Sequence, residues 1–154
     1  MTEAFYGSNT GAFLYMGAST ASTLPAPGSD TFTQVPLVGT ITPPPNVLSS
    51  GFFNVLNDAV RRVIGGKLGD RVVDGDLVID WTATEHSNMY ADSIIAGGRK
   101  RNWYIIYPDS GNRRLDFVAF VSKWTEESFN SSNDAKEHRA SYTLAVNGAI
   151  TVTP

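Results

Sequence analysis

Leu77, Ile79 and Trp81 alternate with Val78 and Asp80. The same period of two returns at Leu115, Phe117, Ala119 and Val121, and again at Tyr142, Leu144 and Val146. Neighbouring residues of a strand point to opposite faces, so this period marks sheet. On this basis residues 11–17, 32–41, 72–83, 101–107, 114–124 and 138–153 read as β-strands. One segment carries helix signals. Thr84 suits an N-cap, Glu85 complements the helix dipole, Tyr90/Ile94 and Ala91/Ile95 are i,i+4 apolar pairs, and Gly97-Gly98 closes the run. The expected fold is mainly β, a β-sandwich or barrel of two sheets with one flanking α-helix.

Breaks in the pattern add detail. Pro36 lies within the 32–41 strand and cannot donate a ladder hydrogen bond, so an edge or a bulge is expected there. Residues 18–30 form a Ser/Thr/Ala/Pro loop, and Thr42 to Asn46 break the chain. Phe52 to Leu56 are a further strand candidate. Residues 58–71 place Ala59, Val60, Val63 and Ile64 at helical spacing, but Gly65, Gly66 and Gly69 interrupt it, and a loop with at most one helical turn is expected. Pro108 to Asn112 is a turn that pairs 102–107 with 115–124 as a hairpin. Val118 and Phe120 make the second of these strands apolar on both faces, so the helix or a neighbouring subunit must cover it. Asn147-Gly148 reads as a hairpin turn into 150–152. Trp81, Phe117, Tyr142 and Leu144 are the expected core.

The 154 residues suit one domain, with 1–10 as an N-terminal arm and 43–71 as a long loop. A net charge of −3, from 12 basic and 15 acidic residues, argues against a protein that grips phosphates. The absence of cysteine excludes disulfides and thiolate metal sites. There is no basic leader before an apolar run and no stretch near 18 apolar residues, so neither secretion nor membrane insertion is expected.

Several segments occur in a familiar order. They are GAFLYMG (11–17), FTQVPLVGTITPP (32–44) with Leu37 where glycine is common, GGKLGDRVVDGDLVIDW (65–81), RNWYIIYPDSG, LDFVAFVSKW and the closing SYTLAVNGAITVTP. In this order, over most of residues 11–153, the chain resembles the major tail tube proteins of long, non-contractile-tailed bacteriophages of the lambda type. The C-terminal Leu-x-Val-x-Gly-x-Ile-x-Val is the most specific piece, and FNVLND (53–58) departs from the family's Thr-containing pattern. The resemblance implies a tail-tube-type fold, with copies of the chain forming hexameric rings that stack into a tube. DNA passes through that tube without specific binding. Tape measure, tail terminator and distal tail proteins are the implied partners. The implied location is the virion, after synthesis in the host cytoplasm.

Candidate residues divide accordingly. The 43–71 loop is too long for a compact domain yet carries Phe52, Val55, Leu56, Val60, Val63, Ile64 and Leu68, which are the expected subunit-interface residues. Asp58 and Asp116 are the candidate lumen-facing charges, and Asp74 and Asp76 share a face of a solvated or lumen-facing strand. His86 and His138 lie far apart and outside any ligand cluster, so ordinary surface or interface histidines are expected. Gly65 to Gly69 imitate a phosphate loop without its spacing and read as a flexible loop. Ser49-Ser50 and Ser131-Ser132 lack a histidine–acid partner signature. No catalytic, metal-binding or cofactor-binding residue is expected, and no enzyme activity. The alternatives are a related tube-fold protein of a contractile tail or a distal tail, and a carbohydrate-binding β-sandwich stacking sugars on Trp81, Trp103 or Trp124. An enzyme on a β-scaffold is a third.

Overall fold

A computed structural model describes residues 11–53, 62–78, 84–108, 111–129 and 138–154. The described strands are β1 (Phe13–Gly17), β2 (Phe32–Gln34), β3 (Val38–Thr42), β4 (Leu48–Phe53), β5 (Arg62–Leu68), β6 (Val72–Val78), β7 (Arg101–Ile106), β8 (Arg114–Glu126), β9 (Arg139–Val146) and β10 (Thr151–Thr153). The helix α1 (Thr84–Ser93) lies between β6 and β7. An eight-stranded antiparallel sheet runs β2-β1-β7-β8-β9-β6-β3, with β10 on β8, and β4 pairs with β5 as a separate two-stranded sheet. The mainly β fold with two sheets and one helix is the expected one.

Pro36 does more than mark an edge. β2 and β3 stand at the two ends of the strand order, yet only three residues separate them. Val35 N–H still bonds to Leu14 O of β1 (2.9 Å), while Leu37 O already accepts from Val78 N–H of β6 (2.9 Å). One stretch of chain thus leaves β1 and joins β6, and the sheet rolls round to meet itself. The turn is made without glycine, by Leu37 at φ 57°.

Inside lie Leu14, Met16, Val73, Leu77, Trp103, Ile105, Phe117, Ala119, Val121, Tyr142 and Leu144. Phe117, Tyr142 and Leu144 are therefore core as expected, and Trp81 lies outside the described residues. Trp103 Nε1–H donates to Ala119 O (3.1 Å), which satisfies the indole in the apolar interior. A register shift between Val121 and Lys123 inverts the alternation of β8, so Trp124 pairs with Tyr142 and turns to the core side.

Four expectations change. Residues 62–68, read as loop, are strand β5, because Val63 and Ile64 are β-branched and Gly66 lets β4 come close. A Cβ at 66 would collide with the Ser49 side chain. Gly65 to Leu68 of the phosphate-loop mimic belong to this strand, and Gly69 follows it. Asn147-Gly148 is no hairpin turn. Val146 faces Ala119 and Thr151 faces Asp116, so the chain bulges and continues in the same direction along β8. The helix stripe is also different. His86, Met89 and Asp92 are buried, while Tyr90, Ile94 and Ile95 are exposed. Finally, His86 is not a surface residue. It is fully buried, and its Nε2–H donates to Pro36 O at 2.7 Å.

Candidate assembly surfaces

Three surfaces outside the core are built by the fold. The first is the β4–β5 hairpin. Its register pairs Phe52 with Val63, Gly51 with Ile64 and Leu48 with Leu68. Among the described residues it pairs with no third strand. At its foot Gly69 N–H donates to Val47 O (2.6 Å), which closes the two arms on each other, and just beyond it Arg71 donates to Gly148 O in the β9–β10 bulge. Val47 and Leu48 are exposed. Of the expected interface residues, Phe52, Val63, Ile64 and Leu68 are brought onto this one hairpin, while Val55, Leu56 and Val60 lie outside the described residues, as does Asp58.

The second surface is the outer face of β3, β6, β9 and β8. Cross-strand pairing aligns Thr42, Asp74, Thr143 and Lys123 in one row, and Thr40, Asp76, Ser141 and Thr125 in the next. Thr143 donates to Asp74 (2.7 Å) and Ser141 to Asp76 (2.9 Å), so the carboxylates are oriented by neighbouring hydroxyls. Short polar side chains tile this face, and Tyr142 enters only from the core side. The alternation of β6 made Asp74 and Asp76 visible in the sequence, but not the hydroxyl rows beside them, which need the strand order.

The third surface holds Asp116. It pairs with Tyr104 across β7–β8 and is 8% exposed, with Arg114 Nε at 2.8 and 3.0 Å from its two oxygens. The Arg114 guanidinium lies 3.6 Å from the centre of the Tyr104 ring, which stacks on Tyr15 at 4.4 Å. Burial, then the facing Tyr15, pushes the Tyr104 hydroxyl above the ordinary tyrosine range. Arg114 therefore compensates the charge of Asp116 locally. His138 sits apart, half-buried, 3.1 Å from Glu126 Oε1 and stacked on Phe129. No group of three or more His, Asp or Glu side chains among the described residues is arranged to hold a metal. No helix among them is long and apolar enough to cross a membrane.

No protein-family model and no curated sequence matches the chain. Solved structures do match over nearly its whole length. The sheath/tube terminator of an extracellular contractile injection system, PVC, superposes with a TM-score of 0.68 at 9% identity, covering 93% of each chain. The tube-terminating cap of the anti-feeding prophage gives 0.67 at 10% identity, over 92% of this chain and 87% of the cap protein. The SPP1 tail tube gives 0.57 at 11% identity, over 92% and 75%. The fold is therefore of the tail-tube type, shared with these tube and terminator proteins.

Proposed function

We propose that this chain is a tube subunit of a phage or phage-like tail, six copies closing a ring and rings stacking into the conduit for DNA. The β4–β5 hairpin is the observation that carries this reading. An isolated two-stranded hairpin is at best marginally stable in water, and among the described residues this one pairs with no third strand. A neighbouring copy supplies the missing surface, with Phe52, Val63, Ile64 and Leu68, and Val55, Leu56 and Val60 beyond them, as the contact residues. Terminator, tape measure and distal tail proteins are the expected partners at the ends of the tube, and the finished assembly belongs to the virion or particle. The subunit has no enzyme activity or cofactor in this reading.

A channel wall must not hold DNA. Nucleic acid is gripped by cations on phosphates and by aromatic platforms under bases. The Asp74/Asp76 face offers hydroxyls and carboxylates with one lysine, and that composition fits the wall. Asp58 and Asp116 remain candidates for it, although Arg114 offsets the charge of Asp116. The two highest TM-scores quoted above belong to terminators, which favours one second reading, a terminal ring that caps a tube.

Negative-stain electron microscopy of the concentrated protein tests both. Tubes support the tube subunit, single rings that never elongate support the terminator, and a persistent monomer rejects both. Deleting residues 58–69 should leave a folded protein that cannot polymerise. Normal polymerisation of that variant would remove the hairpin from the interface.

A further inference from the structure

We propose that residues 126–129 of one copy seat on the segment that follows α1, residues 94–100, of the next copy. This contact rests on the tube-subunit reading and specifies one of its interfaces. The receiving surface is apolar and then basic. Ile94 is 70% exposed and Ile95 39%, and beyond them come Arg99, half-exposed, and Lys100, exposed. Ile95, Arg99 and Lys100 border a shallow hollow of about 390 Å³ against Thr20, Ala21 and Ser22. Two isoleucines left in water beside such a hollow are a docking surface without an occupant in the isolated subunit.

The same chain carries the complement. Phe129 is 85% exposed, and Glu126, Glu127 and Ser128 precede it. This segment is held in place. Glu127 N–H donates to Arg139 O at 3.0 Å, His138 Nε2 lies 3.1 Å from Glu126 Oε1, and the Phe129 ring stacks on His138 at 4.4 Å and 10°. Little ordering entropy is then lost on docking. The free ring face suits Ile94 and Ile95, and the carboxylates suit Arg99 and Lys100.

The two patches stand at opposite ends of one structural unit. Tyr90 meets Trp124 edge-on at 6.0 Å, and Gly98 lies against the Phe120 ring, so α1 runs antiparallel along β8. Residues 126–129 therefore lie toward the start of α1, and 94–100 follow its end. A contact between unlike patches is heterologous and propagates from copy to copy.

The chain has no cysteine, which makes cross-linking clean. The double variant Lys100→Cys/Glu127→Cys, oxidised after assembly, should give a covalent ladder beyond the dimer on a non-reducing gel, and neither single variant should. The charge reversals Lys100→Glu and Glu127→Lys should each raise the concentration needed for assembly several-fold. An equal mixture of the two should assemble like the unmodified chain, because every contact then pairs opposite charges. Assemblies visible by microscopy with no ladder, or a ladder that stops at the dimer, would overturn this contact while leaving the tube reading in place. A chain that never assembles would overturn both.

Discussion

Tyr142 on β9 fills the space above Gly75, its directly paired neighbour on β6. A Cβ at position 75 would collide with the Tyr142 hydroxyl and come within 2.7 Å of Thr40 O. The missing side chain at 75 leaves room for the large ring, and the pair cannot admit a further methyl group. Gly75→Ala should destabilise the fold by about 1–3 kcal/mol, read as a lower midpoint in denaturant. The Tyr142 hydroxyl is buried with no hydrogen-bond partner among the described residues, and burial, then Asp76 and Asp74, push it far above the ordinary tyrosine pKa. Removing an unsatisfied buried hydroxyl relieves its desolvation cost, so Tyr142→Phe should stabilise by about 1 kcal/mol. A loss of stability in Tyr142→Phe would mean that the hydroxyl is satisfied.

Leu37 holds φ 57° while its side chain is 56% exposed. A non-glycine residue in the left-handed region costs about 1 kcal/mol, and little packing is lost by trimming an exposed leucine. Leu37→Gly should therefore raise stability by about 0.5–1 kcal/mol. A lowered melting temperature would show that Leu37 makes contacts that outweigh the strain.

His86 ties α1 to the strand switch through its Nε2–H bond to the Pro36 carbonyl. His86→Leu leaves that carbonyl without the bond and should cost about 1–3 kcal/mol. His86→Gln, which carries a donor to nearly the same point, should recover part of the loss. Equal stability of the two variants would remove the hydrogen bond from the explanation.

Asp30 anchors the 18–31 loop over β7. Burial opposes its carboxylate, but hydrogen bonds from Asn102 (2.9 Å), the Ser19 hydroxyl (2.8 Å) and the backbone N–H of Thr31 (2.8 Å) and Ser19 (3.3 Å) outweigh this and lower the pKa below 3.8. The unfolded chain then takes up the proton first as pH falls. The stabilisation is fully present above about pH 4 and fades as pH drops through the lower folded value. Asp30→Asn should be less stable than the unmodified chain at pH 7, with the gap narrowing below pH 4 in pH-dependent denaturation. A gap that stays constant with pH would exclude this carboxylate as its source.

Asp74→Lys/Asp76→Lys should convert a DNA-indifferent face into a phosphate-binding one. Assembled variant protein should retard duplex DNA at low salt and release it as salt rises, while the unmodified assembly should not bind. Absence of binding in an assembled variant would place this face away from the channel.

Local physics made the strands legible. Alternation at 72–78, 114–121 and 139–146 marks them, the Pro108–Asn112 turn marks the β7–β8 hairpin, and burial of Phe117, Tyr142 and Leu144 follows from the same alternation. Pro36 announced an irregularity. That the irregularity is a transfer of one strand from β1 to β6 depends on which strands flank it, and only the closed sheet decides that. Asn147-Gly148 carries the same local chemistry in a turn and in a bulge; the choice falls to β8, which offers one continuous edge to both β9 and β10. The helix face was decided against its apolar pattern, because Asp92 finds Arg101 (2.5 Å) and His86 Nε2 finds Pro36 O inside, and polar groups that gain such partners can be buried where two isoleucines are left outside. The surfaces read here as assembly sites are of the same kind. Asp74 and Asp76 are set on one face by a period of two, but the rows of hydroxyls beside them come from three other strands, which only tertiary pairing brings into line.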